Sequence, residues 1–307
     1  MKVQGFIRSD CIIHVYNREK ACLQREEVFE EGFMRLVYGT FPGRLVARMF
    51  LSRKIFSRLY GWFQSRPSSR AKIRPFIESY GIDTSQLERP VESYESFNDF
   101  FKRRLRPEAR PVRQEPDVLF SPSDGRLEAC RVDQDLVMSV KGFPFTLEEL
   151  LGGSLPQGDW TDGTCVKIRL APMDYHRFCY IDSGCHGQVV HVQGRLHSVS
   201  QLALMHNLKI LQGNDREYVV LETANFGRVI HVDIGAMAVG RIHQHLREGG
   251  CFSRGQEKGY FEMGGSTIIL IFEQGMVELD QDIMDYSNKG IETLVRYGSR
   301  IGKRRRA

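Results

Sequence analysis

Two different hydrophobic patterns divide the chain. Between residues 26 and 63, apolar side chains recur at the spacing of a helix, as with Phe29, Phe33 and Val37. Residues 71–106 predict two further helices. Beyond a proline-containing linker, short apolar runs bounded by Gly and Asn predict β-strands instead. The pattern therefore predicts an α+β protein, with an N-terminal helical region followed by a β-rich domain of sandwich-like or barrel-like architecture.

The strand pattern also sets the expected boundaries. The predicted strands are residues 119–120, 127–132, 165–170, 187–192, 217–222, 227–234, 238–242 and 267–272. One helical insert, Leu147–Leu151, interrupts them, and short apolar pieces before residue 25 predict a small hairpin. We expect an N-terminal region over residues 1–110, the β-rich domain over residues 111–302, and a basic tail over residues 303–307.

Composition places the chain among globular proteins. It has 307 residues, of which 41% are hydrophobic and 26% charged, enough for a sizeable core. The seven cysteines include no Cys-x-x-Cys pair, which argues against a disulfide framework and against a structural zinc site. We therefore expect no metal and a reducing cytoplasm as the simplest compartment. No signal peptide or membrane-spanning run is recognised.

Positive charge is concentrated near the N-terminus. Residues 32–77 contain ten basic residues and no acidic one. A helix that is apolar on one side and basic on the other is typical of a membrane interface. The alternative is a helix on the protein's own core with a solvated charged face, but solvated faces usually mix signs. The membrane-binding candidates are Arg44, Arg48, Lys54, Arg58, Phe56 and Phe63.

A serine behind two glycines is the strongest chemical feature. Gly264 and Gly265 precede Ser266, and a continuous apolar run over residues 268–272 follows. Glycines permit a strained turn, which could bend the hydroxyl onto the carbonyl of its own preceding residue. The Gly265–Ser266 bond would then become an ester, at which the chain can cut itself. The alternative is an ordinary Gly-Gly turn that enters a buried strand.

Three sequence elements together resemble the phosphatidylserine decarboxylases, which are pyruvoyl-dependent enzymes. They are Pro-x-Asp-Gly at residues 122–125, Pro-x-Asp-Tyr-His-Arg at residues 172–177, and the Gly-Gly-Ser-Thr element that ends at Thr267. They occur in the family's order and spacing, and residues 96–105 are also similar. The resemblance covers most of the chain. It implies a carboxy-lyase that converts phosphatidylserine to phosphatidylethanolamine.

The resemblance also implies roles for individual residues. Ser266 would become the pyruvoyl group by autocatalytic serinolysis and would then form a Schiff base with the substrate amine. This self-generated covalent group is the expected cofactor. Asp124 would be the carboxylate that orients a base, and His176 would supply the proton that completes decarboxylation.

The base for self-cleavage is open, because this chain departs from the family's pattern. The family usually carries two histidines three residues apart, whereas here His176 is followed by Cys179. We expect His176 to be the retained base. Alternatively, Cys179 takes part with a lowered pKa, or maturation is slow or absent. A further alternative is that another histidine moves in, and the candidates are His191, His197 and His231.

The expected partners follow from the same resemblance. They are phosphatidylserine, an anionic membrane surface at the cytoplasmic face, and a tight complex of the two cleaved chains, of which the smaller has 42 residues. The sequence leaves open whether the protein forms a homo-oligomer. No nucleic acid is expected, because no recognition motif accompanies the basic residues. The alternative functions are a catalytically impaired lipid-binding relative and a serine hydrolase, although Ser266 lacks the Gly-x-Ser-x-Gly elbow.

Overall fold

The computed structural model describes residues 13–26, 32, 36–37, 40–46, 49, 53–140, 143–199, 204, 210–236, 241–264 and 266–305. It contains both helices and many strands, so the α+β prediction is confirmed. Of the two architectures expected, the described strands form open sheets and no closed barrel.

The first helices lie before residue 102, as predicted. They are α1 (Phe41–Val46), α2 (Lys54–Gln64), α3 (Ile73–Tyr80) and α4 (Phe97–Phe101), with short 3-10 turns at Pro67–Lys72, Thr84–Gln86 and Val91–Ser93. The Ser96 hydroxyl accepts a hydrogen bond from the Asp99 backbone and begins α4. Phe76 of α3 packs against Phe97 and Phe100 of α4. Met263 joins this aromatic cluster, so α4 lies beside the segment that leads to Ser266.

A large sheet forms the centre of the protein. In chain order the strands are β1 (His14–Asn17), β2 (Cys22–Arg25), β3 (Val118–Phe120), β4 (Gly125–Arg131), β5 (Val137–Val140), β6 (Phe143–Thr146), β7 (Thr164–Leu170), β8 (Arg177–Cys179), β9 (Gly184–His186), β10 (Val190–Val192), β11 (Arg216–Thr223), β12 (Gly227–Gly235), β13 (Ile242–Gln244), β14 (Gly250–Phe252), β15 (Glu257–Phe261), β16 (Ser266–Phe272), β17 (Val277–Leu279), β18 (Glu292–Val295) and β19 (Arg300–Arg304). The large sheet has the order β14-β9-β11-β12-β16-β7-β4-β18-β1-β2, and β10 also pairs with β11. Two three-stranded sheets, β13-β15-β8 and β17-β19-β3, and the β5-β6 hairpin complete the described strands.

Three helices lie among these strands. They are α5 (Leu147–Leu151), α6 (Ile210–Gly213) and α7 (Gln281–Asn288). The predicted insert at Leu147–Leu151 is confirmed. Thr146 and Glu149 form a capping box at its start, which satisfies the free backbone N–H groups of this short helix.

Strand β16 is the most buried element of the sheet. It pairs with β12 on one side and β7 on the other, and all seven residues are buried. Ile269 and Ile271 point into one hydrophobic core, whereas Ile268, Leu270 and Phe272 point into a second core on the opposite face. A strand covered on both faces needs apolar residues at every position, which explains the unbroken run after Ser266.

The N-terminal hairpin is part of the large sheet. Strands β1 and β2 pair antiparallel within the region where a hairpin was predicted. Strand β1 also pairs in parallel with β18, with Val15 opposite Glu292. The segment before the helices therefore belongs to the β-rich unit by its backbone pairing, which local hydrophobic spacing does not reveal.

One cysteine pair departs from the sequence expectation. Cys185 of β9 and Cys251 of β14 are directly opposed and form a disulfide. The absence of a Cys-x-x-Cys pair argued against a disulfide framework. The two residues are 66 positions apart, so only the strand pairing brings them together.

Candidate active site

Ser266 lies at the start of the central strand. Its register partners are Gly235 on β12 and Leu170 on β7, and its side chain is fully buried. Gly264, two residues earlier, has φ of +132°, a conformation that favours glycine. Gly265 lies outside the described residues, so the geometry of the Gly265–Ser266 bond stays a prediction.

A tight turn after β7 brings His176 to Ser266. The Ala171 backbone N–H donates to the Asp174 carboxylate at 2.7 Å, and the Asp174 N–H donates to the Ala171 carbonyl at 2.9 Å. The turn reverses the chain, so that His176 lies back over the end of β7. Its Nδ1 is 3.4 Å from Ser266 Oγ. A nucleophile and a base are thereby within hydrogen-bonding distance.

The second ring nitrogen decides the tautomer of His176. Nε2 lies 3.0 Å from the Ala171 carbonyl oxygen. A carbonyl oxygen only accepts hydrogen bonds, so Nε2 carries the proton and Nδ1 is free to accept one from Ser266. The Phe101 ring, 4.2 Å from the imidazole between centroids, covers the ring.

Burial keeps His176 neutral. Desolvation lowers the pKa of His176 to about 3, and the positive charges of Arg103 and Arg126 act in the same direction. The hydrogen bond to Ala171 opposes this shift without cancelling it. At neutral pH the imidazole can therefore accept a proton from the serine hydroxyl.

Asp124 is engaged elsewhere. Arg110 donates to both of its carboxylate oxygens, at 2.8 and 2.6 Å, and the Tyr297 backbone N–H donates at 2.8 Å. Among the described residues, its hydrogen-bond partners do not include His176. The structure therefore brings Ser266 and His176 together but leaves Asp124 paired with Arg110, and its role in self-cleavage stays a prediction.

Cys179 is buried beside the loop that carries Asp124. Its thiol lies 3.6 Å from the Pro122 carbonyl oxygen, which also accepts the Cys179 backbone N–H. Burial raises the pKa of the Cys179 thiol to about 12, although a hydrogen bond with Tyr297 acts in the opposite direction. At neutral pH the thiol is protonated, which is unfavourable for a base.

The other candidate histidines have different partners. His191 lies 3.1 Å from Asp215, and the His197 backbone bonds to the Asn214 side chain. Buried His231 lies 3.0 Å from Asp233. Within the part of the chain that the structure describes, the hydrogen-bond partner of Ser266 Oγ is His176.

Buried charges around this site were missed by the sequence analysis. Arg103 is buried and donates to the carbonyls of Met173 and Asp174, which holds the turn before His176. Arg126 of β4 forms an ion pair with the Asp174 carboxylate. Charged residues at alternate positions of β4 and β7 were the available signal, because such residues share one face of a strand. Together with Glu26 and Glu292 from other elements, these residues form a buried ionic network. Its members on β4 and β7 are Arg126, Glu128, Lys167 and Arg169.

The membrane-binding candidates are partly described. On α2, Phe56 is half-buried, Arg58 is exposed, and Phe63 is 56% exposed. Ile55, Leu59 and Trp62 of the same helix are also exposed. Arg48 and the side chains of Arg44 and Lys54 lie outside the described residues. Among the helices that the structure describes, none is long and apolar enough to cross a membrane.

Comparisons with known proteins agree with the motifs. The family model described as phosphatidylserine decarboxylase matches residues 97–303. The phosphatidylserine decarboxylase proenzyme 2 of Clostridium acetobutylicum is 38% identical over 95% of this chain and 98% of its own length. The phosphatidylserine decarboxylase proenzyme of Ruminiclostridium cellulolyticum is 39% identical over 95% of this chain and 97% of its own. The chain therefore belongs to the phosphatidylserine decarboxylase family.

Proposed function

We propose that this protein decarboxylates phosphatidylserine to phosphatidylethanolamine with a pyruvoyl group that it makes from Ser266. The observation that carries the proposal is the contact between Ser266 Oγ and the unprotonated Nδ1 of His176. Membership of the family supports the lipid substrate. The word proenzyme in the names of the relatives supports self-cleavage.

The first stage is an acyl shift. His176 Nδ1 takes the hydroxyl proton of Ser266, and Oγ attacks the carbonyl carbon of Gly265. The new C–O bond replaces the C–N bond when the proton reaches the departing amine, which leaves an ester. Elimination then removes the α-proton of residue 266 and breaks its Cβ–O bond. The products are a carboxylate at Gly265 and a dehydroalanine, which water converts to the pyruvoyl group and ammonia.

The residues around position 266 fit a pyruvoyl group. The position is fully buried, and its neighbour on β12 is Gly235, which has no side chain to crowd it. When formed, the group supplies an electron sink for the electron pair that departing carbon dioxide leaves behind. His176 faces the same position, and we assign to it protonation of the product carbon, once its Nδ1 has taken a proton from the substrate ammonium group.

Strand β16 supports retention of the small chain after cleavage. Its seven residues pair with both β12 and β7. Full burial of one Ile, Leu or Phe side chain contributes roughly 1.5–3 kcal/mol, so the five apolar residues of this strand contribute roughly 7.5–15 kcal/mol against dissociation of the fragment. Strands β18 and β19 of the same fragment pair with β4 and β3.

The proposed location is the cytoplasmic face of a membrane. Helix α2 supports the membrane contact, because Ile55, Leu59 and Trp62 are exposed together at the spacing of one helix face. A basic helix with such a face suits an anionic lipid surface.

The intact mass of the denatured protein tests the proposal first. We expect two chains split before residue 266, the smaller with a blocked N-terminus that borohydride reduces, and a single full-length mass for Ser266→Ala. Carbon dioxide release from phosphatidylserine vesicles then tests the substrate. A wild-type protein that stays full-length would refute the self-cleavage and favour the lipid-binding alternative.

A further inference from the structure

A basic cleft opens near the strand end that holds Ser266. Its volume is about 420 Å³, and it lies between α2, the start of β11, the end of β12, and β13. The residues that matter for its chemistry are Arg58, Asp215, Glu217, Gly235, Arg241 and Arg247. We call it the basic cleft.

The basic cleft reaches the strand position next to the reactive residue. Gly235 lines the cleft and is the direct register partner of Ser266. Directly opposed residues in an antiparallel pair lie about 4.5–5.5 Å apart between Cα atoms and point to the same face of the sheet. The cleft and the Ser266 side chain are therefore on the same face of the large sheet.

Two arginines of the cleft lie outside its close ion pairs among the described residues. Arg247 is 2.8 Å from Glu217, and His191 is 3.1 Å from Asp215, so both lining carboxylates have a partner. Arg58 and Arg241 are exposed, and neither has an ion-pair partner among the residues that the structure describes. Two guanidinium groups thus remain to bind an anion, and their planar donors match the oxygens of a phosphate.

Helix α2 connects the cleft with the proposed membrane surface. Arg58 lines the cleft, while Leu59 and Trp62 of the same helix are 55% and 52% exposed. A lipid whose acyl chains contact these apolar residues would have its headgroup at the mouth of the cleft.

We infer that Arg58 and Arg241 bind the phosphodiester of the phosphatidylserine headgroup, while its amine extends past Gly235 to position 266. This inference rests on the proposed function. The phosphodiester keeps its single negative charge throughout the reaction, so a cation there stabilises substrate and transition state equally. A change at either arginine should therefore raise KM and leave kcat nearly unchanged.

Soluble dihexanoylphosphatidylserine below its micelle concentration isolates the headgroup site from membrane attachment. We expect Arg241→Gln and Arg58→Gln each to raise KM about 10- to 100-fold, the range for losing a hydrogen bond to a charged group, with kcat within about twofold. Arg241→Lys should retain part of the affinity. Arg131→Gln is the control, because Arg131 is exposed and paired with Asp162 away from the cleft.

A binding experiment separates this inference from the chemistry. The uncleaved Ser266→Ala protein is titrated with glycerophosphoserine, and Arg241→Gln in that background should weaken binding at least tenfold. Equal KM values for wild type and both glutamine variants would overturn the inference. So would equal affinity for inorganic phosphate and glycerophosphoserine, or an effect seen on vesicles alone. If the wild type neither cleaves nor turns over but the titration succeeds, the proposed function fails and the anion site stands.

Discussion

Replacement of His176 by glutamine is the sharpest test of the base. Glutamine is similar in size and can still donate to the Ala171 carbonyl, but its amide cannot accept the Ser266 proton. General-base catalysis contributes about 10²–10⁴-fold to a rate, and we expect self-cleavage of His176→Gln to slow by that factor. His14→Gln is the matched control, because His14 is exposed at the start of β1.

The structure also predicts an unusual pH dependence for this step. A free histidine has a pKa of about 6.5, so only about 3% of it is neutral at pH 5. Burial lowers the pKa of His176 to about 3. With that pKa about 99% of the imidazole is neutral at pH 5, and the base is available there. Self-cleavage should therefore change less than about twofold between pH 7.5 and 5, rather than fall about thirtyfold.

The assay uses precursor purified unfolded and refolded by dilution into buffers between pH 5 and 8. The uncleaved fraction is followed over time by mass spectrometry, and circular dichroism of Ser266→Ala at each pH verifies that the fold forms. A thirtyfold fall at pH 5 with an intact fold would refute the buried neutral base. Cleavage of His176→Gln at the wild-type rate would refute His176 as the base altogether.

Three further predictions concern other parts of the molecule. Cys179→Ala should self-cleave within about threefold of the wild-type rate, as followed by intact mass. Burial raises the pKa of this thiol to about 12 and leaves it protonated at neutral pH. A hundredfold loss would show that the thiol takes part. Ile269→Ala should destabilise the uncleaved Ser266→Ala protein by about 2–5 kcal/mol in urea unfolding, since Ile269 is fully buried on the central strand; a loss under about 1 kcal/mol would contradict that packing. The double variant Trp62→Ala, Phe63→Ala should bind anionic vesicles at least tenfold more weakly in a sedimentation assay and retain turnover of dihexanoylphosphatidylserine. Unchanged vesicle affinity would exclude the exposed face of α2 as the membrane contact.

Much of the fold was readable from local patterns. The apolar run after Ser266 predicted a buried strand, because a strand covered on both faces cannot alternate with polar residues. Leu147–Leu151 is confirmed as a helix. Pairing partners were not readable in the same way. Strand β1 joins β18 across most of the chain, and no local spacing encodes that contact.

By itself the sequence predicted a reactive serine and determined the family, because both depend on residues that are neighbours in the chain. Two glycines, the serine and the following strand lie within one short segment. Only the tertiary structure decided which group faces that serine. His176 is 90 positions from Ser266, and the turn through Ala171 and Asp174 aims its Nδ1 at Oγ. Arg110 likewise pairs with Asp124 through the packing of separate elements. Such contacts depend on where the strands end in space, which no short stretch of sequence specifies.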